Sequence, residues 1–325
     1  MQAVIYSEYG TPDVLQLKDV DKPTPKDNEV LIKVHAASLN ASDLEALKGS
    51  PVYIRMWGLF KPKYKILGSD IAGQVEAVGK NVVHFQPGDA VFGDILGSWG
   101  GFAEHVCAPE NALTRKPESV TFEQAAAIPQ AATVALQGLR DKGKIQPGQK
   151  VLINGAGGGA GSFALQFAKI FGAHVTGVDN TTKLKMMRTL GADKVIDYTQ
   201  EDFTQNGESY DLILDFVASH SIFDYKRALS PGGKYVMVGG FMRHIFQTLI
   251  TGSLISLTGS KKMGILAAKP NNDMPYILEL IESGKLTPVI EKVYPLRETP
   301  AAFRHLDSGK AQGKLVISLE NVDKS

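Results

Sequence analysis

Residues 154–161 read NGAGGGAG and lie between an apolar run at 150–154 and a helical pattern at 161–172. Glycine at this density serves either a flexible linker or a backbone that approaches another group closely. A strand, a glycine turn and a helix N-terminus, in this order, can hold a pyrophosphate on unpaired N–H groups. The context therefore predicts a dinucleotide-binding loop, with simple packing of the helix on the strand as the alternative.

The glycine stretch fits the dinucleotide fingerprint in two registers. They are G-x-G-x-x-A at Gly155, Gly157 and Ala160, and A-x-G-x-x-G at Ala156, Gly158 and Gly161. The chain contains no Gly-Lys-Ser or Gly-Lys-Thr, which excludes a P-loop for nucleoside triphosphates.

Asp179 ends the strand pattern that follows the loop and its helix. An acid at this place binds the ribose hydroxyls of the adenosine half, which favours NAD(H). Asn180, Thr181 and Lys183 follow at once and could instead hold a 2′-phosphate, which favours NADP(H). A helix cap is the alternative role of Asp179.

Strand and helix patterns alternate from about residue 121 onward. The strand patterns lie at 150–154, 174–179, 193–198, 211–217 and 233–240, and the helix patterns between them at 161–172, 183–191 and 221–229. This alternation predicts right-handed crossovers and a doubly wound parallel sheet. Such a sheet would place the glycine loop and Asp179 at the same edge.

The first part of the chain has a different pattern. Residues 1–120 are β-rich, and their glycines predict the bends of a small barrel. A short helix is predicted at 39–49, with Ser42 or Asn40 as its cap and Gly49 as its end. We expect an α/β chain with a β-barrel domain at 1–120 and 266–325, and a doubly wound domain at 121–265.

Composition excludes several classes of partner. A net charge of +1 over 325 residues gives no strong attraction to nucleic acid or to an anionic membrane. Cys107 is the single cysteine, so an internal disulfide and a cysteine-rich zinc site are excluded, and the first residues carry no secretory leader. We therefore expect a cytoplasmic protein. The apolar stretch 244–260 is interrupted by polar residues and predicts a buried or lid-like segment rather than a membrane span.

These motifs together resemble the medium-chain dehydrogenase/reductase superfamily, and within it the quinone oxidoreductase (zeta-crystallin-like) branch. The resemblance spans nearly the whole chain and rests on AASLNASDLEALKG, LGSDIAGQVEAVGKNV, FQPGDAVFG, PQAATVALQGL, VLINGAGGGAG, LGADKVIDYTQEDF, LSPGGKYVMVGG and GKLVISL. It implies a GroES-like β-barrel domain and a Rossmann domain. It also implies reduction of a small-molecule quinone or α,β-unsaturated carbonyl by NAD(P)H, commonly in homodimers.

The resemblance also implies which residues hold the cofactor. It prefers the second register of the glycine loop, and it places Lys183 and Tyr198 at the 2′-phosphate of NADPH. On the strength of Lys183 and Tyr198 we favour NADP(H). Because Asp179 stands where NAD-specific relatives have their acid, we keep NAD(H) as the alternative. The cofactor-binding candidates are Asn40, Thr133, Ala156, Gly158, Gly159, Ala160, Gly161, Asp179, Asn180, Lys183, Tyr198, Phe216, Val217, Gly239 and Gly240.

The catalytic candidates are Asn40, Asp43 and Tyr53. Asn40 and Asp43 match an N-x-x-D of the family. Tyr53 could replace a tyrosine that the family often has where this chain has Glu45. A hydrogen bond at a helix start is the alternative role of Asp43.

We expect no catalytic zinc. Zinc-dependent relatives hold the metal with a Cys and a Gly-His-Glu, and this chain has Asn40, Ser69 and Asp70 at the places of Cys, His and Glu. Neither Asn nor Ser is a normal zinc ligand. Without zinc, the acceptor must already be electrophilic, which favours quinones and enones. An NAD(P)-dependent alcohol dehydrogenase, or a cofactor-binding protein with little catalysis, is the alternative.

Overall fold

A computed structural model describes residues 1–51, 55 and 58–319 of the chain. The helices are α1 (Ala41–Lys48), α2 (Phe122–Ala126), α3 (Pro129–Leu136), α4 (Gly159–Ile170), α5 (Leu184–Thr189), α6 (Ile222–Ala228), α7 (Met242–Gln247), α8 (Ser253–Thr258), α9 (Met274–Glu282) and α10 (Thr299–Asp307). The strands are β1 (Gln2–Ile5), β2 (Gln16–Asp19), β3 (Glu29–Ser38), β4 (Asp70–Val78), β5 (Ala90–Asp94), β6 (His105–Pro109), β7 (Thr114–Arg115), β8 (Lys150–Asn154), β9 (His174–Asp179), β10 (Lys194–Asp197), β11 (Tyr210–Asp215), β12 (Leu229–Met237), β13 (Lys262–Ile265), β14 (Ile290–Pro295) and β15 (Lys314–Ser318).

The chain folds into two compact units. The first contains Met1–Gln130, Pro270–Met274 and the chain from Pro288 onward, and the second contains Ala131–Lys269 and Pro275–Thr287. The first boundary follows Gln130 rather than residue 120, because α2 packs on the barrel. There the ring of Phe122 stacks on that of His35 in β3, with 4.3 Å between the centroids.

The described part of the first unit is built around an antiparallel sheet whose strand order is β14-β15-β3-β4-β5-β7, with β6 also paired to β3. Only the pair of β14 and β15 is parallel. The end of β3 is central, because Ser38 pairs in register with Asp70 of β4 and with Val316 of β15. The residues that follow Ser38 therefore lie beside the first residues of β4 and β15.

Helix α1 begins just after the end of β3. Asn40 is its N-cap, and Gly49 ends it in the left-handed conformation with φ +59°. The helix predicted at 39–49 is therefore confirmed, and of the two proposed caps Asn40 is the one observed. Glycine is suited to this end because left-handed backbone is strained for residues that carry a Cβ.

The second unit contains a parallel sheet in the order β10-β9-β8-β11-β12-β13, which is the doubly wound order of a dinucleotide-binding domain. The predicted strands 150–154 and 174–179 are observed with these bounds as β8 and β9. Strand β12 begins at Leu229 rather than 233, since the Leu-Ser-Pro-Gly-Gly stretch joins it through a register shift against β11. The order of the sheet reverses between β8 and β11, and ligands of such folds bind beyond the carboxyl ends of the strands at that point.

The apolar stretch 244–260, for which the sequence predicts a buried or lid-like segment, does not bury most of its large side chains. The stretch forms α7, one wider helical turn at Thr248–Gly252, and α8. Its large apolar side chains that face solvent are Phe246, Leu249, Ile250, Leu254 and Leu257. Among the residues that the model describes, no helix combines the length and the apolar character needed to cross a bilayer.

Candidate functional site

The glycine loop leaves β8 in a turn that the neighbouring strand fixes. The N–H groups of Gly155 and Ala156 both donate to the carbonyl of Val178 in β9, at 2.9 and 3.1 Å. Gly155 has φ +83°, a conformation that favours glycine. The N–H of Gly158 then donates to the carbonyl of Gly155 at 3.1 Å, and α4 begins at the next residue.

Gly158 and Gly161 face different surroundings. A Cβ on Gly161 would lie 2.1 Å from the carbonyl oxygen of Gly155 and 2.7 Å from the Cα of Ala156. A Cβ on Gly158 would meet nothing closer than that same oxygen, at 3.5 Å. Gly161 is thus required for close packing of the helix on the turn, while Gly158, the N-cap of α4, leaves open space in front of the backbone.

The side chains of Asp179 and Lys183 cover the loop at Gly157. Asp179 Oδ2 accepts from the N–H of Gly157 at 2.9 Å. Its Oδ1 accepts from the N–H of Asn180 at 2.9 Å and lies 3.2 Å from Lys183 Nζ. A Cβ on Gly157 would lie 2.6 Å from the Cδ of Lys183. Asp179 and Lys183 are both buried, and their pairing neutralises the carboxylate within the protein.

Most other cofactor candidates lie at the same edge of the sheet, after the carboxyl ends of other strands. Tyr198 follows β10, is 58% exposed and donates its N–H to the carbonyl of Asp179 at 3.2 Å. Phe216 and Val217 follow β11, and Gly239 and Gly240 follow β12. The structure thus brings together the second-unit candidates that sequence reasoning took from widely separated segments.

Thr133 is placed differently, on α3, where it is almost fully buried. Its hydroxyl oxygen has no hydrogen-bond partner among the residues that the model describes. A buried hydroxyl of this kind is normally satisfied by a ligand or by water. This feature and the open space at Gly158 fit a bound nucleotide.

Asn40 belongs to a buried polar cluster in the first unit. Its Nδ2 donates to Asp70 Oδ2 at 2.9 Å and to Ser69 Oγ at 3.4 Å. Its Oδ1 accepts from Lys314 Nζ at 2.5 Å. Asn40, Ser69 and Asp70, which stand where metal-dependent relatives have their zinc ligands, therefore lie together. The ammonium group of Lys314 binds the oxygen that Asn40 would offer to a metal.

The cluster contains more buried acids than buried bases. Lys314 Nζ also donates to the carbonyl of Leu39 at 3.0 Å and lies 3.6 Å from Asp70 Oδ2. Asp94 shares Gln130 with Asp70: the Gln130 N–H donates to Asp70 at 3.1 Å, and its Nε2 donates to Asp94 at 3.4 Å. One ammonium therefore stands beside carboxyl groups that cannot all be ionised cheaply away from water.

Burial determines the protonation of these groups. It raises the pKa of Asp43 to about 7 and, together with the charge of Asp70, raises the pKa of Asp94 to about 7. Burial also raises the pKa of Asp70, which Lys314 opposes, and it lowers the pKa of Lys314. The cluster therefore takes up protons on folding near neutral pH.

Asp43, which sequence reasoning placed among the catalytic candidates, has the alternative role in this structure. It is fully buried, with Oδ2 accepting from the N–H of Asn40 at 2.8 Å and Oδ1 from the N–H of Gly68 at 3.0 Å. Both bonds hold backbone, at the start of α1 and just before β4, so Asp43 positions Asn40. The third catalytic candidate, Tyr53, lies outside the described residues.

Sequence reasoning missed two residues of these sites. Lys314 was noticed only as part of the closing strand. Asp215, a fully buried residue at the end of β11 that accepts from Asn154 Nδ2 at 2.9 Å, was noticed only as part of a strand pattern. A charged residue inside an otherwise apolar strand was the available signal in both cases, since charges are rarely buried without partners. Nothing in the spacing indicated which partners those would be.

The comparisons with known proteins agree with this architecture. Residues 26–118 match the family model of an alcohol dehydrogenase GroES-like domain, and residues 190–317 match that of a zinc-binding dehydrogenase. A 2-methylene-furan-3-one reductase of Solanum lycopersicum is 34% identical over 334 residues, covering 98% of this chain and 79% of that protein. A chloroplastic NADPH-dependent alkenal/one oxidoreductase of Arabidopsis thaliana is 32% identical over 330 residues, with the same two coverages.

The structural comparison agrees as well. The quinone oxidoreductase from Coxiella burnetii superposes with a TM-score of 0.86 at 29% identity, covering 98% of this chain and 99% of that one.

The two loop glycines should respond differently to alanine. Gly161→Ala should lower the free energy of unfolding by about 1–3 kcal/mol, because a backbone oxygen blocks the new methyl group. Gly158→Ala should lower the free energy of unfolding by less than about 1 kcal/mol, the usual effect of alanine at an N-cap. Urea denaturation of the nucleotide-free protein measures both. Equal losses would contradict the assigned packing role of Gly161.

The acid cluster should make stability fall with rising pH. Because the pKa of Asp94 is raised on folding, the native state binds more protons than the unfolded state from the usual aspartate range up to about pH 7. The stabilising contribution of protonated Asp94 is complete below the usual aspartate range and is lost as the pH rises from there through about 7. As the pH rises through this range, the free energy of unfolding of Asp94→Asn should therefore increase relative to that of the wild type by up to about 1.4 kcal/mol per pH unit. Parallel curves of unfolding free energy against pH for the two proteins would refute this assignment.

Proposed function

This chain belongs to the medium-chain dehydrogenase/reductase superfamily, in its quinone oxidoreductase branch, and we propose that it is an NAD(P)H-dependent reductase of quinones or α,β-unsaturated carbonyls. The observation that carries the proposal is the open, glycine-lined N-terminus of α4 at the reversal point of the parallel sheet. Two relatives that are at least 32% identical over 98% of the chain carry names of enone reductases.

A bound nicotinamide nucleotide would supply the hydride that these acceptors take up. The chain's own part is to bind and orient the nucleotide. The backbone around Gly158 and the first amides of α4 would receive the pyrophosphate, as favoured by the positive end of the helix dipole. The hydroxyl of Thr133 is a proposed contact of the nicotinamide half. In the first unit, Lys314 and Asp70 hold the amide of Asn40 in one orientation.

We propose that the reaction needs no zinc. The support is the chemistry of the donor set, because Asn40 and Ser69 are not normal zinc ligands and Asn40 Oδ1 already accepts from an ammonium. Quinones and enones fit a site of this kind, since their carbonyl conjugation makes them electrophilic without a Lewis acid. A simple alcohol has no such assistance, which makes alcohol dehydrogenase activity the weaker candidate.

We favour NADP(H) over NAD(H). Lys183 and Tyr198 stand where the family meets the 2′-phosphate, and one relative is named as NADPH-dependent. From the sequence alone, Asp179 is an argument against NADP(H), because an unpaired carboxylate repels phosphate. In the structure this carboxylate is paired with Lys183 and with the N–H of Gly157, so the pair brings no net negative charge to that place.

We also propose a homodimer that works on small molecules in the cytoplasm. Strand β13 is the end strand of the sheet, and the apolar side chains of α7 and α8 face solvent next to it in sequence. Solvent-facing apolar surface of this kind usually marks an interaction site, and an unpaired edge strand invites pairing. The small net charge supports the absence of a nucleic-acid partner. The solution mass of the wild-type chain distinguishes a dimer from a monomer.

A substrate screen tests the function. With NADPH, and more weakly with NADH, the wild type should reduce 1,4-naphthoquinone, 9,10-phenanthrenequinone or 2-alkenals, read as loss of the reduced nicotinamide absorbance. A chelator should leave the rate unchanged. Gly158→Ala should bind nucleotide at least tenfold more weakly, because the new methyl group lies where the backbone must approach the pyrophosphate. Nucleotide binding without turnover of any acceptor would leave only the cofactor-binding alternative.

The cofactor preference has its own test. Lys183→Met keeps the stem that lies over Gly157 and removes the charge, so the ratio of NADH to NADPH dissociation constants should fall at least tenfold. Asp179→Asn serves as the matched variant, because it removes the opposite charge of the same pair and should change the ratio in the other direction. An unchanged ratio in Lys183→Met would remove the main support for NADP(H).

A further inference from the structure

Asp215 ends β11 at the reversal point of the sheet and is fully buried. Its Oδ1 accepts three hydrogen bonds, from Asn154 Nδ2 at 2.9 Å, from the N–H of Val217 at 3.0 Å and from the N–H of Ala218 at 2.8 Å. Its Oδ2 accepts from the hydroxyl of Tyr235 at 2.9 Å. All four donors are neutral groups.

The three donors on Oδ1 come from two separate segments. Asn154 is the last residue of β8 and immediately precedes the glycine loop. Val217 and Ala218 belong to the turn after β11, and the N–H of Phe216 donates to the carbonyl of Asn154 at 3.1 Å. A single carboxylate oxygen therefore holds the turn after β11 against the residue from which the glycine loop starts.

The contacts around these loops leave little freedom. A Cβ on Gly155 would lie 2.9 Å from the Cγ2 of Val217, and a Cβ on Gly240 would lie 2.6 Å from the Cβ of Ala218. Ala218 has φ +52°, a left-handed conformation that is unfavourable for alanine and persists only where its surroundings impose it. The hydrogen bond from its N–H to Asp215 is one such constraint.

We propose that Asp215 is a positioning residue for the nucleotide: it sets the relative placement of the glycine loop, the 216–218 turn and, through Ala218, the Gly240 loop. The inference rests on the proposed function only in taking these loops as the nucleotide site. Its observed partners are all protein groups, so Asp215 acts through the loops. Its contribution is preorganisation, which lowers the cost of ordering the loops when the nucleotide binds.

The test compares variants that separate loop placement from general stability. Asp215→Ala removes the acceptor, and the dissociation constant of NADPH, measured by direct titration, should rise more than tenfold. Asp215→Asn keeps one oxygen for the three loop donors and should restore affinity to within about threefold of wild type. Tyr235→Phe is the matched control: it removes the donor on Oδ2, which comes from within β12 and not from a loop, so it should lower stability while leaving the dissociation constant unchanged.

A further variant keeps the test decisive if Asp215→Ala does not fold. Asn154→Ala removes one loop donor and leaves the carboxylate with three others, so it should weaken NADPH binding several-fold at nearly normal stability. The proposal is overturned if Asn154→Ala and every folded Asp215 variant bind NADPH like wild type, or if Tyr235→Phe weakens binding as much as they do. A wild type that binds neither NADPH nor NADH would instead refute the function proposed above.

Discussion

Backbone segments at the carboxyl edge of the parallel sheet approach one another more closely than side chains would allow. The helix α4 meets the turn before it at Gly161, where a Cβ would lie 2.1 Å from a carbonyl oxygen. The glycine loop meets the turn after β11 at Gly155, on the opposite side of the same loop. This close approach fixes where the N-terminus of α4 points, and with it the open face at Gly158 on which the proposed nucleotide binding depends.

The buried carboxylates described above are stabilised in three different ways. Asp179 pairs with the ammonium of Lys183, so its charge is neutralised locally. Asp215 is surrounded by neutral donors, which fix geometry without adding a countercharge. In the first unit, Lys314 is one ammonium for several acids, so protons supply the remaining neutralisation.

Features with local causes could be predicted from the sequence. The glycine loop, the bounds of β8 and β9 and the end of α1 at Gly49 follow from residue types within a few positions. The role of Lys314 in the buried polar cluster could not be predicted, because its partner Asn40 lies at the other end of the chain and no periodicity links the two residues. The sequence predicts a buried or lid-like segment at 244–260, yet the side chains that this stretch buries include His244 and Thr248, while Leu254 and Leu257 face solvent. The hydrophobicity of a segment therefore does not by itself say which of its side chains the fold buries.

The closeness of Ala218 to the place where a side chain on Gly240 would lie has a consequence for how this edge of the sheet can change over evolutionary time. The two positions occupy one small volume from different loops, so enlarging either one closes the space that the other needs. Gly240 therefore cannot gain a side chain for as long as Ala218 and the loop after β12 keep their places.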